Sequence, residues 1–497
     1  MKYWISGFIL SGWLSGRCLA QMTTADTVRL PTKVPYVVVE SVQLSGNRLT
    51  KNYIIEREMD LHPGDTVQRA TLDARLKANA DRIFNTRLFV TVDVMAVPVA
   101  QETDTAALAP TKQRLLVTVK ENWYLWPSPY VRLNDRNFNE WVDRGRDFRR
   151  LNYGLYVGHA NLFGRMQRLE AWADVGFATR LTLRYNVPYL DRKQNWGLLS
   201  EVNYQALANL AYNTVNNQLE FVYRDAVLAR QADVRLRLRR RQGFYRFHYA
   251  ELSYSQTQIS EALRDLNPFY LGFAGTSQPI LTQQLTSLGY TYRFDNRDNI
   301  NFSLRGRALI AEGRRMGLLP TDDFRSWRFG LIFADYHQLT KLLSRKWYGS
   351  YILRGQALTN PDVPYNLLRG IGYEDDVLRG YDLYVVNGSA FGLGRFNLKR
   401  ELVQHTVKLN FIKWRQFNTI PFALYLNAFS DWGYVYNKHP ERLINPLANR
   451  LLQSNGLGLE LSTWYNSVVR VNVSRNRLGQ TLFFINLQKD ISTRRNL

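Results

Sequence analysis

Leu378-Arg379-Gly380-Tyr381 and, about fifty residues on, Asp431-Trp432-Gly433 are the residues in this 497-residue chain best placed to do chemistry together. That chemistry is charge pairing rather than bond making. An arginine carried into a half-desolvated space needs a carboxylate, because an unpaired buried charge is costly. Asp431 lies on a segment that alternates: Tyr425, Asn427, Phe429 and Asp431 share one face, and Leu424, Leu426 and Ala428 share the other. The aliphatic face suits lipid, so Asp431 points inward and is the expected partner of Arg379. The tetrad sits in a glycine-rich segment between Thr359 and Asn397, a length that in a barrel belongs to a disordered external loop or to a functional one. Gly370, Gly372 and Gly380 permit tight turns, and Tyr373 and Tyr381 offer apolar bodies with a hydroxyl to satisfy, so a packed, inward-folded loop is expected.

No other spacing points to catalysis. The chain lacks H-E-x-x-H, G-x-S-x-G and the phosphate-cradling G-x-x-x-x-G-K-[ST]. His62, His159, His248, His337, His405 and His439 are scattered without ligand spacing. The single cysteine, Cys18, falls in a leader: Lys2, an apolar run from Ile5 to Leu14, and Cys18-Leu19-Ala20 before Gln21 read as a signal peptide over 1–20. A mature chain without cysteine excludes disulfides and thiolate chemistry. No enzyme activity, cofactor or metal is expected.

The elements that must position the tetrad are strands. No run after the leader is long and apolar enough for a spanning helix, yet 45% of residues are hydrophobic and 13% aromatic, with mean hydropathy −0.33. That balance suits a transmembrane β-barrel, where only alternate residues face lipid. The net charge of +23 invites a nucleic-acid reading, but its placement argues for a wet interior. In Ala232-Asp233-Val234-Arg235-Leu236-Arg237-Leu238-Arg239 the arginines alternate with apolar residues and so line one strand face; no nucleic acid is expected as a partner. Arg180 to Val187 alternates most cleanly, and Leu219 to Tyr223, Leu285 to Phe294, Phe302 to Ile310 and Leu482 to Leu487 are read alike. The total is about sixteen antiparallel strands over 123–497. Ahead of them, after a linker at 21–35, residues 36–122 read as a compact α+β unit. It has a strand from Tyr36, a helix capped by Thr50, a second helix on Leu72, Leu76, Ala80 and Ile83, and strands from Leu88 and Arg114.

Several words within this pattern resemble the BamA/TamA superfamily of outer-membrane assembly and translocation barrels. The tetrad is similar to the family's (V/L)RG(F/Y) loop motif. Tyr292-Arg293-Phe294-Asp295-Asn296-Arg297-Asp298-Asn299 looks like its DxRD-like stretch, carried here by Asp295, Arg297 and Asp298. Asn161-Leu162-Phe163-Gly164 and Val187-Pro188-Tyr189 resemble its words near the barrel start, and 36–122 resembles a POTRA domain. The resemblance implies Glu401 as a second carboxylate near the loop arginine. It also implies an outer-membrane location in a Gram-negative bacterium with the POTRA-like domain in the periplasm. Unfolded outer-membrane polypeptides, outer-membrane lipids and accessory lipoproteins are the implied partners. At the seam, Pro127 and Pro129 remove two donors from the first strand, and Phe483, Ile485 and Leu487 make the closing strand apolar. The weak pairing this suggests and mere stiffening of the linker are equally good accounts of the prolines. Three jobs fit: an assembly and insertion factor, a secretion translocator for one partner protein, and a passive pore or structural barrel. The chain has room for one POTRA-like unit where the principal assembly barrels carry several, which leaves a main or an accessory role open.

Overall fold

The computed structural model describes residues 36–99, 111–133, 145, 148, 151–176, 178–191, 193–224, 226–272, 280–339, 346–373, 375–408, 419–463 and 467–486. The expected leader and linker, and Leu487 of the expected seam, lie outside the described residues. The small N-terminal domain runs β1 (Tyr36–Ser45), α1 (Asn52–Glu56), β2 (Thr66–Gln68), α2 (Arg69–Asn85), β3 (Phe89–Pro98) and β4 (Thr111–Glu121). Its sheet order is β2-β1-β4-β3, with β1 and β4 parallel. Alternation sends Val37 and Val39 of β1 and Leu115, Val117 and Val119 of β4 to one face, and Leu72, Leu76 and Ile83 of α2 cover it. Thr50 does not cap α1. The N-cap position belongs to Lys51, and the Thr50 hydroxyl is engaged with Tyr124, 2.9 Å away, where the domain meets the barrel.

The remaining chain forms one sixteen-stranded sheet: β5 (Leu125–Leu133), β6 (Leu151–Leu162), β7 (Gln167–Gly176), β8 (Ala178–Val187), β9 (Trp196–Leu207), β12 (Ala229–Gln242), β13 (Arg246–Ile259), β14 (Thr282–Asp295), β15 (Gly306–Met316), β16 (Ser326–Gln338), β17 (Trp347–Leu358), β18 (Ala390–Lys408), β19 (Thr419–Tyr436), β20 (Leu451–Thr463), β21 (Ser467–Asn476) and β22 (Thr481–Asn486). Between β9 and β12 a separate hairpin, β10 (Asn209–Val215) with β11 (Gln218–Tyr223), stands outside the sheet. Leu219 to Tyr223 therefore does not span. Asn216 and Asn217 at its tip have φ of 51° and 61°, the paired positive values of a tight two-residue turn.

Side-chain parity makes the sheet a barrel wall. On β12, Val234, Leu236 and Leu238 face out while Arg237 is buried. On β19, Tyr425, Asn427, Phe429 and Asp431 are all buried and Leu426 is exposed. The interior is held by charge as much as by apolar packing: Arg184 pairs with Glu201, Arg237 with Glu251, and Lys399 with Glu460 at 2.7 Å. β5 and β22 are the two ends of the sheet, and among the described residues no ladder joins them.

The segment carrying the tetrad is shorter than its sequence suggested. Ala390 to Asn397 belongs to β18 and pairs with both β17 and β19, so the connection is 359–389. Gly392 and Gly394, which fall inside the glycine-rich segment between Thr359 and Asn397, are strand residues. Glycine is a poor guide to loop boundaries where the sheet supplies the backbone's partners on both sides.

Candidate functional site

Two constructions hold nearly all the sequence words. The first is the loop of residues 359–389, folded into the barrel against β18 to β21. Its apolar anchor is a cluster of Ile371, Leu378, Tyr381 and Val386 with Val435 of β19 and Leu447 and Leu452 beyond it. A single antiparallel bridge, Ile371 to Val386, closes the loop on itself. Arg379 then reaches the wall. Its Nε donates to Asp431 Oδ2 at 2.7 Å and its Nη2 to Oδ1 at 2.5 Å, a two-pronged fork, while its backbone N–H reaches Oδ2 at 3.3 Å. The guanidinium also lies 3.7 Å from the centroid of the Phe429 ring. Asp431 has no exposed surface, so this charge is compensated only within the protein.

Gly380 is the residue that lets the turn pass. Its φ is +85°, and a Cβ there would lie 2.9 Å from the Ser454 Cβ. Its carbonyl accepts from Asn476 Nδ2 at 2.7 Å and its N–H donates to Asp382 Oδ2 at 3.0 Å; Ser454 donates to the Arg379 carbonyl. Two wall arginines reach back. Arg354 Nε pairs with Asp376 at 2.8 Å, and Arg395 Nη2 donates to the Asp375 carbonyl at 2.9 Å and to that of Val377. Sequence reasoning missed Arg354, Arg395, Asp376, Ser454 and Asn476. The signal was parity: Arg395 lies directly across the ladder from Asp431.

Glu401 does not join this cluster. It lies across from Tyr425, six residues along the strand from Arg395, which at ~3.3 Å per residue is about 20 Å away. Its carboxylate instead accepts from the Tyr348 hydroxyl at 3.4 Å. A hairpin tip completes the loop's seat. Val385 N donates to Asn217 O at 2.7 Å, Asn217 Nδ2 donates to Val385 O at 2.9 Å, and Asn217 Oδ1 accepts from Leu447 N at 2.9 Å.

The second construction clamps the small domain to one end of the barrel. Arg241, at the end of β12, forks onto Glu58 beyond the C-terminus of α1, with Nη2 2.5 Å from Oε2. Tyr189, from the Val187-Pro188-Tyr189 word, donates to Glu58 Oε1 at 3.2 Å. Burial opposes ionisation of Glu58, but Arg241 outweighs it and holds the carboxyl below its ordinary value. Arg82 of α2 donates to the Glu58 carbonyl at 2.7 Å and stacks 4.2 Å from the Phe244 ring. Asn161 Nδ2 donates to Thr50 Oγ1 at 2.9 Å, and Lys51 N donates to Gly164 O at 3.0 Å. A side chain on Gly164 would collide with the Leu49 carbonyl.

The Asp295, Arg297 and Asp298 stretch belongs to this joint. Arg297 forks onto Asp295 with both contacts at 2.8 Å, and Asp298 Oδ1 accepts from the amides of Asn299 and Leu304 at 2.8 and 3.1 Å. The turn so stiffened presents the carbonyls of Arg297 and Asp298 to Asn85 Nδ2 at 3.3 and 3.2 Å. At the sheet ends, Pro127 and Pro129 lie in β5 opposite Val157 and Leu155 of β6. Phe483 and Ile485 of β22 face out and Phe484 is buried.

Comparison with known proteins places this architecture. The Omp85 superfamily domain matches residues 161–463, and the POTRA family, described as a surface antigen variable number repeat, matches 37–122. No curated protein matches the sequence. Among solved structures, BamA from Haemophilus ducreyi lacking POTRA domains 1–3 is 15% identical, with 90% of this chain and 85% of that one covered and a TM-score of 0.48. CdiB from Acinetobacter baumannii is 14% identical over 90% of this chain and 74% of that one, with a TM-score of 0.47. CdiB from Escherichia coli is 10% identical over 93% and 92%, with a TM-score of 0.48. With its sixteen-stranded wall, its wedged loop and a POTRA domain clamped beneath them, this chain belongs to the Omp85 superfamily.

Proposed function

We propose that this protein folds and inserts other β-barrel polypeptides into the outer membrane of a Gram-negative bacterium, with its POTRA domain in the periplasm. The observation that carries the reading is the seam. The sheet ends in β5 and β22, no ladder joins them among the described residues, and β5 carries Pro127 and Pro129. Residues two apart in a strand aim their amides at the same side, so both missing donors fall on one edge of β5. Ala160 N donates to Tyr124 O at 2.8 Å, so in this register the even-numbered positions of β5 carry the bonds to β6 and Pro127 and Pro129 face the other edge, which leaves the edge facing the seam as the one short of donors. An incoming strand finds there acceptors and apolar neighbours rather than a completed sheet. β3 is an edge of the POTRA sheet and can take an extended client by strand addition on its way to the seam. Outer-membrane lipids and accessory lipoproteins are the other proposed partners.

A lumen occupied by the 359–389 loop disfavours a passive pore, and it disfavours a translocator that passes its client through the centre. The test is a reconstitution. Proteoliposomes carrying the protein should speed the folding of a urea-unfolded outer-membrane barrel over empty liposomes. Replacing Pro127 and Pro129 together by Thr, which restores both donors, should cut that acceleration severalfold. Folding no faster than in empty liposomes would sink the proposal.

A further inference from the structure

On the lipid-facing side of β17 and β18, at the end of the barrel away from the POTRA domain, the wall is hollowed into an open trough. Register sets its shape. Leu331, Gly355, Gly392 and Tyr434 stand directly across from one another on β16 to β19, and Phe329, Ala357, Ala390 and Tyr436 do so one row further out. Large side chains therefore form two exposed ridges on β16 and β19, and glycine and alanine form the floor between them. Nothing in the fold demands that floor. Gly355 and Gly392 lack the left-handed φ that requires glycine, and a Cβ on Gly392 would meet nothing within 4 Å. A Cβ on Gly355 would approach only the Phe391 carbonyl oxygen, at 3.3 Å, and no side chain. Glycine weakens a strand, so two of them side by side and uncrowded mark a place where something from outside comes close to the backbone.

The trough is closed at its inner end. One row further in, Leu353 takes the place of glycine on β17. The space over Gly394 on β18 is filled by Leu353 and the Phe396 ring, 3.5 and 3.4 Å from where a Cβ would stand. From the Phe329 row to the Phe333 row is about 13 Å at ~3.3 Å per residue, and less along the membrane normal because barrel strands tilt. Half of a hydrocarbon core is about 15 Å, so the trough stays within one leaflet. A strand or helix crossing the membrane would run past the closed end; a chain anchored at the surface enters by the open one. Charge stands at that open end. Trp327 stacks on Phe329 at 6.1 Å, and the Arg315 guanidinium lies 5.9 Å from the Trp327 ring, so one ridge leads up to a cation. Arg325, two residues before Trp327, donates to the Pro320 carbonyl at 3.3 Å. Neither arginine enters an ion pair among the described residues, since Asp322 and Asp323 in the same turn are taken by the amides of Thr286, Leu319 and Gln284. Beyond the other ridge, Lys438 is already paired with Asp362 at 3.2 Å.

We propose that this trough seats one acyl chain of an anionic, phosphate-bearing lipid from the leaflet away from the POTRA domain, with the lipid's phosphate at Arg315 and Arg325. Moving a chain from bulk lipid onto an apolar wall gains nothing from the hydrophobic effect. The preference comes instead from packing the chain on three sides rather than one, and from charge-assisted hydrogen bonds between guanidinium and phosphate. The seat gives a place to one of the proposed partners, the outer-membrane lipid, and rests on that reading for its leaflet. It lies away from the seam, so its test does not call on insertion activity and either proposal can fail without the other.

The test is photocrosslinking of the full protein in phosphatidylcholine vesicles that contain a trace of phosphatidic acid with a diazirine in mid-chain, followed by peptide mapping. Crosslinks should concentrate on 355–357 and 390–392 rather than spread around the lipid-facing wall. Unlabelled phosphatidic acid should compete for them at least tenfold better than added phosphatidylcholine of the same chain length. Gly392→Leu, which fills the trough from its floor, should remove these crosslinks and leave those elsewhere on the wall unchanged. Ala357→Leu is the second filling variant should the first not fold. Replacing Arg315 and Arg325 together by Gln should keep the trough crosslinks but abolish the advantage of the acid. Crosslinks spread evenly around the barrel overturn the proposal, and so do trough crosslinks that persist in both filled variants. Equal competition by the two lipids overturns the anionic lipid as occupant, and crosslinks in the trough that join two copies of the chain reassign it to an interface between them.

Discussion

At the scale of single residues, Arg379 and Asp431 form one unit. Asp431 is fully buried and its fork comes from a loop that has no ladder of its own to hold it, so removing either partner strands a charge. Breaking such a pair costs about 3–5 kcal/mol. Arg379→Ala and Asp431→Asn should each lower the unfolding temperature and expose 359–389 to protease, and the double variant should cost less than the two singles summed. Arg379→Lys should behave nearer to Ala than to wild type, because lysine keeps the charge but loses the fork and the stacking on Phe429. Glu58 permits a prediction in pH. Its carboxyl is held below the ordinary value of 4.5, so the joint keeps this stabilisation above that value and loses it as pH falls towards and through the lowered one. Hydrogen exchange across 52–58, corrected for intrinsic rates, should be equally slow at pH 7 and 5.5 and rise at lower pH; Glu58→Gln should be fast throughout. The inward Asp431 was legible because parity on one strand decides which way a side chain points. Glu401 shows the limit of that argument: it too sits by the lumen, but position along the strand depends on how deeply the loop enters, and alternation carries no depth.

At the scale of elements, the loop depends on one backbone conformation. Gly380 has φ +85° with Ser454 at its back, so Gly380→Ala should destabilise the seat by about 1–3 kcal/mol, the range for a residue forced into left-handed geometry, plus the cost of moving Ser454. Gly392→Ala is the matched control: it lies in β18, its φ is not in the left-handed region, and a Cβ there meets nothing within 4 Å. Equal loss of melting temperature in both variants would show that the tetrad glycine is not a conformational requirement. The hairpin β10–β11 marks where element reading failed. A short soluble ribbon and a spanning strand have the same two-residue period, and only length and turn chemistry separate them. Asn216-Asn217, between runs of seven and six residues, was the available signal. The POTRA helices were more legible, since Leu72, Leu76 and Ile83 repeat at a spacing no strand produces. Why Thr50 leaves the cap of α1 was hidden, because its partners Tyr124 and Asn161 come from 74 and 111 residues away.

At the scale of the whole molecule, the sequence words divide between two ends of the barrel. Asn161 to Gly164, Tyr189 and the Asp295 to Asp298 stretch fasten the POTRA domain, while the tetrad and Asp431 fasten the loop. About sixteen strands could be read from periodicity, but the state of the seam could not, since closure depends on which edges meet after the sheet has curled. The loop does not hold itself in place: the Asn217 tip pins Val385 while Arg379 pins the wall. Two independent fastenings predict a graded response in planar bilayers. Wild type should show a low, steady conductance. Arg379→Ala, with the hairpin pin intact, should add brief openings, and Arg379→Ala combined with deletion of 209–223 should give long-lived large ones. Large steady conductance in the wild type would mean that the loop does not occupy the lumen in a membrane, and the case against a passive pore would fall with it. If the single and the double variant open alike, the hairpin is ornament to the plug, and Arg379 alone keeps it shut.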